Sequence, residues 1–474
     1  MFSKKIKFLK LNLCIKISKF VIASIYWWQR RGNLTCILFI ISMLFFNSCS
    51  KNQEQGKNVL RWSGYAYPQY DKFRSEESKK FEKIHPEVEV RYEPIGGDFA
   101  SKIFTQIAGN TAPDVFFVPL SDVRGFSKRG SLVDLSGYIE KDKNYFNQIH
   151  PVLMSSQKSE GKYYALPGNC GTNLLFYNKT LFDKAGLKYP DETWTWKEML
   201  EAAKKLTKEE KGRKQYGILI PNHLWLLMIY LNGGKIWNKD KKCVINNKEA
   251  REAIDFIRDA FQKYKVAPSP FEMKEQGGGE QFIRGTIAMY IGSTWEIATF
   301  GIRKYGSKLN WDAVMVPKAS QNKPRRYELQ YNSLGVCTQS KNPELAYELA
   351  KFMIEPERVK FLVEVGDSLP MRINSKLIDV ILSPEGAKNL SVDMEYYLKD
   401  PNRPELCRKQ ALEALKYVYD WKEYYNPDAP FLEQMDIINK DFEKFYLEEK
   451  ITSAEILSDI ESKLNALVDK YRKK

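Results

Sequence analysis

Three histidines, His85, His150 and His223, are all the imidazole this chain contains, and no two stand at an HExxH or HxH spacing that would place them on one zinc ion. No GxxxxGK[ST] loop, no GxGxxG after an apolar strand and no GxSxG elbow occurs. Gly277-Gly278-Gly279 lacks the lysine that a phosphate loop places at its helix start, and reads as a flexible connection. Glycoside hydrolysis needs two carboxyl groups about 5–9.5 Å apart. With 59 acids some pair always exists, and chain spacing does not measure that distance, so a surface-anchored glycoside hydrolase stays open as an alternative. Among the seven cysteines, Cys170, Cys243, Cys337 and Cys407 form no CxxC pair and have no His spaced as a co-ligand. They read as free, mostly buried thiols, and nothing chooses among the three pairings that four cysteines allow. No motif calls for a cofactor or a metal ion, and none nominates a catalytic residue.

Cys49 is the one position whose surroundings specify a modification. Eight lysines and arginines and no acid precede it, and Leu34–Phe46 (LTCILFIISMLFF) is apolar but shorter than the roughly 20 residues that span a bilayer. Positive charge, a short apolar run and a small residue make a secretory signal. Asn47-Ser48-Cys49 resembles the lipobox of bacterial lipoproteins, although Phe46 and Asn47 are bulkier or more polar than that pattern. The expectation is a signal peptide over 1–48, a lipid on Cys49, and a polar linker over 49–56. The body then works outside the cytoplasmic membrane, in the periplasm or at the cell surface. Ile6–Trp28 is interrupted by Lys7, Lys10, Lys16 and Lys19 and reads as an extended n-region or an upstream start, with a two-pass anchor as the alternative.

The formal charge of +15 falls to +7 once the eight leader cations are removed, and the remainder is spread without a basic block. That is a solvated surface of mixed sign, and it argues against a nucleic-acid partner. Along the body, Val59–Trp62, Val88–Tyr92 and the run Asp114–Pro119 (DVFFVP) read as strands, with helices over Tyr70–Ile84 and Phe99–Ala108 between them. An unbroken apolar strand suits a parallel sheet covered on both faces, and β-α-β-α-β order argues for an open α/β sheet. The pattern repeats with strands at Leu174–Tyr177, Thr286–Ile291 and Trp311–Val316. Thr195–Glu198 is a capping-box signature, Trp225–Leu231 an apolar helix, and Pro401–Lys474 nearly all helix with a cap at Thr452.

Phe81–Val88 (FEKIHPEV), Ala108–Val115 (AGNTAPDV), Gly161–Pro167 (GKYYALP) and Leu175–Lys179 (LFYNK) resemble, in order, segments of the extracellular solute-binding proteins of bacterial ABC transporters, of the maltose- and glycerol-phosphate-binding type. Phe282–Met289, Ala346–Met353 and Leu369–Arg372 continue that order, so the resemblance covers nearly all of the body. It implies a periplasmic-binding-protein-like fold of two α/β lobes joined by crossing strands, with a ligand cleft between them. Lobe one would hold 57–167 plus 333–365, and lobe two 168–332 plus 366–474. It also implies a monomeric receptor that captures a sugar by lobe closure and delivers it to permease subunits. Glycerol-phosphate, a polyamine or another small solute are the alternatives within the same fold.

Ligands of open α/β sheets sit beyond the carboxyl ends of strands. Within the implied cleft that rule selects Tyr65, Tyr67, Ser121, Asp122, Gly171, Thr172 and Asn173, and from lobe two Trp225, Ser293 and Trp295. Asn332 stands at a crossing, and Arg372 could hold an anionic group. Sugar rings pair an apolar face with a hydroxyl rim, which aromatic planes and amide, hydroxyl or carboxylate groups match. Five of these have a plainer reading: Tyr65 and Tyr67 as turn aromatics, Trp225 as core, Asp122 as a helix cap and Arg372 as a surface ion pair.

Overall fold

The computed structural model describes residues 58–119, 122–210, 212–270, 272, 278–299, 309–372, 404–419, 426, 428–448 and 450–473. The leader, Cys49, the linker and Ser121 lie outside the described residues. Two five-stranded sheets organise the fold. In chain order their strands are β1 (Asn58–Ser63), β2 (Val88–Tyr92), β3 (Val115–Val118), β4 (Ala165–Pro167), β5 (Asn173–Asn178), β6 (Lys208–Glu210), β7 (Arg213–Leu219), β8 (Ile287–Ser293), β9 (Trp311–Met315) and β10 (Ser333–Val336).

The first sheet runs β2-β1-β3-β10-β4. β3 is the VFFV run, buried at all four positions, and pairs in parallel with β1 (Trp62 opposite Val115) and antiparallel with β10 (Ser333 opposite Val118). The helices Pro68–Ile84 and Phe99–Ala108 link β1 to β2 and β2 to β3, as the apolar periodicity requires. Trp62 locks the first helix by donating its indole N–H to Ser78 Oγ at 2.9 Å. Asp98 caps the second, accepting the Ser101 N–H at 3.1 Å.

The second sheet runs β9-β5-β8-β7-β6. β5 is buried at all six positions, and its side chains alternate between two cores, as strand pleating dictates. Leu174 and Phe176 join the core that also serves the first sheet. Leu175 and Tyr177 join a second core with the helices Trp196–Leu206, Trp225–Leu231, Lys248–Phe261, Phe431–Leu447 and Ser453–Arg472. Both capping boxes form, at Thr195 with Glu198 and at Thr452 with Glu455. The four cysteines of the body are free and buried.

Two local expectations change. Gly278 and Gly279 open the helix Gly278–Ile283 rather than a loose connection, and Gly278 sits where a Cβ would stand 2.7 Å from Leu219 and 3.1 Å from the Tyr290 ring. Ser293 is the last residue of β8 rather than a residue beyond it, because its pairing with Asn173 extends the ladder. Among the described residues of the largely helical tail, Val418–Tyr419 is extended and pairs in parallel with Tyr327–Glu328.

Between the sheets, segments of the chain lie side by side. Gly168 N–H donates to Asn332 O at 2.7 Å, and Gly171 and Gln330 bond both ways at 2.7 and 2.9 Å. A third segment joins them through Leu369 N–H to Cys170 O at 2.7 Å and Cys170 N–H to Ser368 Oγ at 3.1 Å. It leaves the helix Pro356–Val365 at Gly366, whose φ of 92° is left-handed and suits glycine.

Candidate functional site

The end of β1 carries the first group of aromatic side chains. Tyr65 is half-buried, its ring 4.4 Å from Phe99 and 6.3 Å from Phe117. Its carbonyl accepts from Arg74 at 2.7 Å, and the buried guanidinium also donates to Tyr92 Oη at 2.9 Å and lies 5.1 Å over Phe117. Phe117 reaches the connecting segments, since a Cβ on Gly168 would stand 3.0 Å from its ring. Tyr67 is 46% exposed and meets Tyr70 edge-on at 5.8 Å. This end of the first sheet therefore offers one exposed and one half-buried tyrosine, braced from behind by a cation and a phenylalanine.

Amides and a carboxylate line the connecting segments. Asn169 Oδ1 accepts from the Asn332 N–H at 2.7 Å and its side-chain amide at 3.3 Å, while Asn169 Nδ2 donates to Asp367 at 3.4 Å. Burial pushes the Asp367 carboxyl up, and the Arg74 guanidinium pulls it partly back.

On the second sheet, Asn173 begins β5 directly opposite Ser293, the end of β8. An antiparallel neighbour thus contributes its starting residue to the end where β8 finishes. Asn173 Nδ2 donates to Ser293 Oγ at 3.4 Å, and Gln330 Nε2 approaches Asn173 Oδ1 and Glu328 Oε2, each at 3.5 Å. Thr172 N–H donates to Thr294 Oγ1 at 3.1 Å, and Thr294 N–H returns a bond to Thr172 O at 2.8 Å. The next residue, Trp295, is 46% exposed. Glu296 follows, accepting from Ser293 N–H at 2.8 Å and from the Tyr290 hydroxyl. Burial raises its carboxyl to about 7, against the pull of those two donors.

The structure therefore brings Gly171, Thr172, Asn173, Ser293 and Trp295 together and sets Asn332 on the adjoining segment. Tyr65 and Tyr67 form the aromatic group of the other sheet. Three further positions lie apart. Trp225 is 2% exposed and packs 4.9 Å from Phe442 in the second core. Asp122 is buried as the cap of the helix Val123–Lys128, accepting the Gly125 N–H at 2.9 Å, and burial raises its carboxyl to about 6. Arg372 is buried, donating to Tyr145 Oη at 2.6 Å and Ile354 O at 2.8 Å. Arg74, Asn169, Glu296, Gln330 and Asp367 lie around these candidate residues and carried no motif. Their signal is long-range pairing, except at Glu296, where a carboxylate three residues after Ser293 marks a side-chain-closed turn. Among the described residues no three His, Cys, Asp or Glu side chains gather as a metal site.

Comparison with known proteins bears on this arrangement. Residues 67–360 match the family model of the bacterial extracellular solute-binding protein. The arabinooligosaccharide-binding protein of Bacillus subtilis is 26% identical over 335 residues, covering 67% of this chain and 74% of its own. The galactooligosaccharide-binding protein of the same organism is 25% identical over 378 residues, covering 76% and 83%. Among solved structures, an ABC substrate-binding protein of Listeria monocytogenes in complex with cycloalternan superposes with a TM-score of 0.73 at 28% identity, covering 86% of this chain and 98% of that one.

Proposed function

Because the chain belongs to the bacterial extracellular solute-binding proteins, we propose that it captures a carbohydrate between two lobes and delivers it to the permease of an ABC transporter. The observation that carries the sugar reading is Trp295, a large aromatic left 46% exposed beside the Asn173, Ser293 and Gln330 polar groups. An indole over a sugar ring buries apolar area at about 25 cal/mol per Å², while amides and hydroxyls meet the rim. Tyr65 and Tyr67 supply the same chemistry from the first sheet. Arg372, the candidate for an anionic group, is buried and donates to Tyr145 and Ile354, which argues against its holding a phosphate.

We place lobe one on the first sheet and lobe two on the second, with the chain crossing at 168–172 and 329–332 and the segment 367–370 lying beside those crossings. Met371 O accepts the His150 N–H and Arg372 donates to Tyr145, which supports assigning 371–372 to lobe one. The helix Glu405–Ala414 goes with lobe two, supported by Cys407 N–H to Asp312 at 3.0 Å. Closure follows if the sugar binds the closed arrangement more tightly, by roughly 5.5 kcal/mol for a nearly complete shift. Cys49 carries the lipid that holds the receptor at the membrane, and the receptor acts as a monomer.

A thermal-shift screen over arabino-, galacto- and gluco-oligosaccharides, with glycerol-phosphate and polyamines as controls, tests the reading. Saturating ligand raises stability by RT ln(1 + [L]/Kd). A shift with an oligosaccharide recovered intact afterwards supports a sugar receptor. A shift with the controls alone, or a cleaved glycan, overturns it.

A further inference from the structure

We propose that Glu296 is the positioning residue of the sugar site, fixing the turn that carries Trp295 so that the indole is held ready before ligand arrives. The proposal rests on the reading of Trp295 as the stacking residue. The turn is fastened on two sides. Toward the hinge, Thr294 and Thr172 exchange bonds of 2.8 and 3.1 Å. Toward the lobe interior, one Glu296 oxygen takes the Ser293 N–H at 2.8 Å and the other takes the Tyr290 hydroxyl.

Both carboxylate oxygens are thus engaged by the protein, so Glu296 acts through the turn rather than on a ligand. Its seat is built for it. A Cβ on Gly292 would collide with the carboxylate and with the Tyr290 ring, which makes a residue without a side chain necessary there. Tyr290 is itself held in the core, its ring 6.2 Å from Phe282 and 6.5 Å from Phe176. Glu296, two residues after Thr294, therefore connects the Ser293–Thr294 turn to a rigid core tyrosine three residues before Ser293. Fixing a binding side chain beforehand removes ordering cost from the binding step.

Two experiments on the full-length protein decide it. In the first, 5-fluorotryptophan is incorporated and the Trp295 resonance is identified by its loss in Trp295→Phe. The expected result is one sharp line in the parent and a broadened or split line in Glu296→Ala and in the milder Tyr290→Phe, which keeps the ring. An unchanged line in both variants overturns the proposal without any ligand. In the second, Kd is measured by calorimetry for arabino- and galacto-oligosaccharides. Glu296→Ala is expected to weaken binding about tenfold in the parent and less than about twofold in the Trp295→Ala background, the non-additivity of residues that act as a unit. Equal loss in both backgrounds shows that Glu296 acts elsewhere and overturns the proposal. If Trp295→Ala alone leaves Kd unchanged, the stacking reading fails, and the fluorine line still decides whether Glu296 sets the turn.

Discussion

Gly171 and Gln330 exchange both backbone hydrogen bonds, at 2.7 and 2.9 Å, in the gap between the two sheets. A Cβ at Gly171 would stand 2.7 Å from Thr294 Oγ1, the atom that accepts the Thr172 N–H. The segment proposed as the hinge and the Trp295 turn therefore share one crowded contact. Gly171→Val is expected to lower stability by about 1–3 kcal/mol, as overpacking does. It should also weaken sugar binding at least tenfold, measured by calorimetry on material still folded by circular dichroism. Unaltered binding would separate the hinge from the site.

Asp122 separates a cap from a ligand group. Its carboxyl is raised to about 6, so between about pH 4 and 6 the folded chain holds a proton that the unfolded chain has released. Stability from this group therefore falls as pH rises through that window. Asp122→Asn keeps a good cap and removes the buried charge. The variant should be more stable at pH 7 by about 1–3 kcal/mol, with the gain vanishing near pH 4, and should bind sugar normally. Lost binding would assign the carboxylate to the ligand.

Trp225 and Trp295 should respond in opposite ways. Trp225 lies in the second core, so Trp225→Ala costs about 3–5 kcal/mol of folding stability. Trp295→Ala should cost under about 1 kcal/mol of stability and about 2 kcal/mol or more of binding, as aromatic hot spots do. Thermal unfolding and calorimetry on both variants check this. An early-melting Trp295→Ala protein that binds normally would reverse the assignment.

What was legible in the sequence was what local chemistry specifies. Thr195 and Glu198 are three residues apart and form their capping box wherever the helix lies, and VFFV needs two covered faces however the sheet is ordered. The ordered motifs placed the fold. The boundary of β8 was not legible, because only its partner Asn173, 120 residues away, extends it to Ser293. Trp225, inside an apolar helix, already had a core reading, whereas its partner Phe442 and the turn that Glu296 closes beside Trp295 were not legible. Arg372 gave no hint of Tyr145, a partner 227 positions earlier.

Cys49→Ser tests the tether. A multi-chain lipid anchors stably where a single chain does not. The variant should leave the membrane fraction and lose the lipid-dependent mobility shift. Unchanged retention and processing would rule out the lipid on Cys49.

The central claim is capture by closure of two lobes, and small-angle scattering of the protein with and without a sugar proven to bind by calorimetry measures it most directly. The account predicts a smaller radius of gyration at saturating sugar, reversed on dilution, and a weaker change in Gly171→Val. A bound sugar that leaves the scattering curve unchanged within error would contradict it.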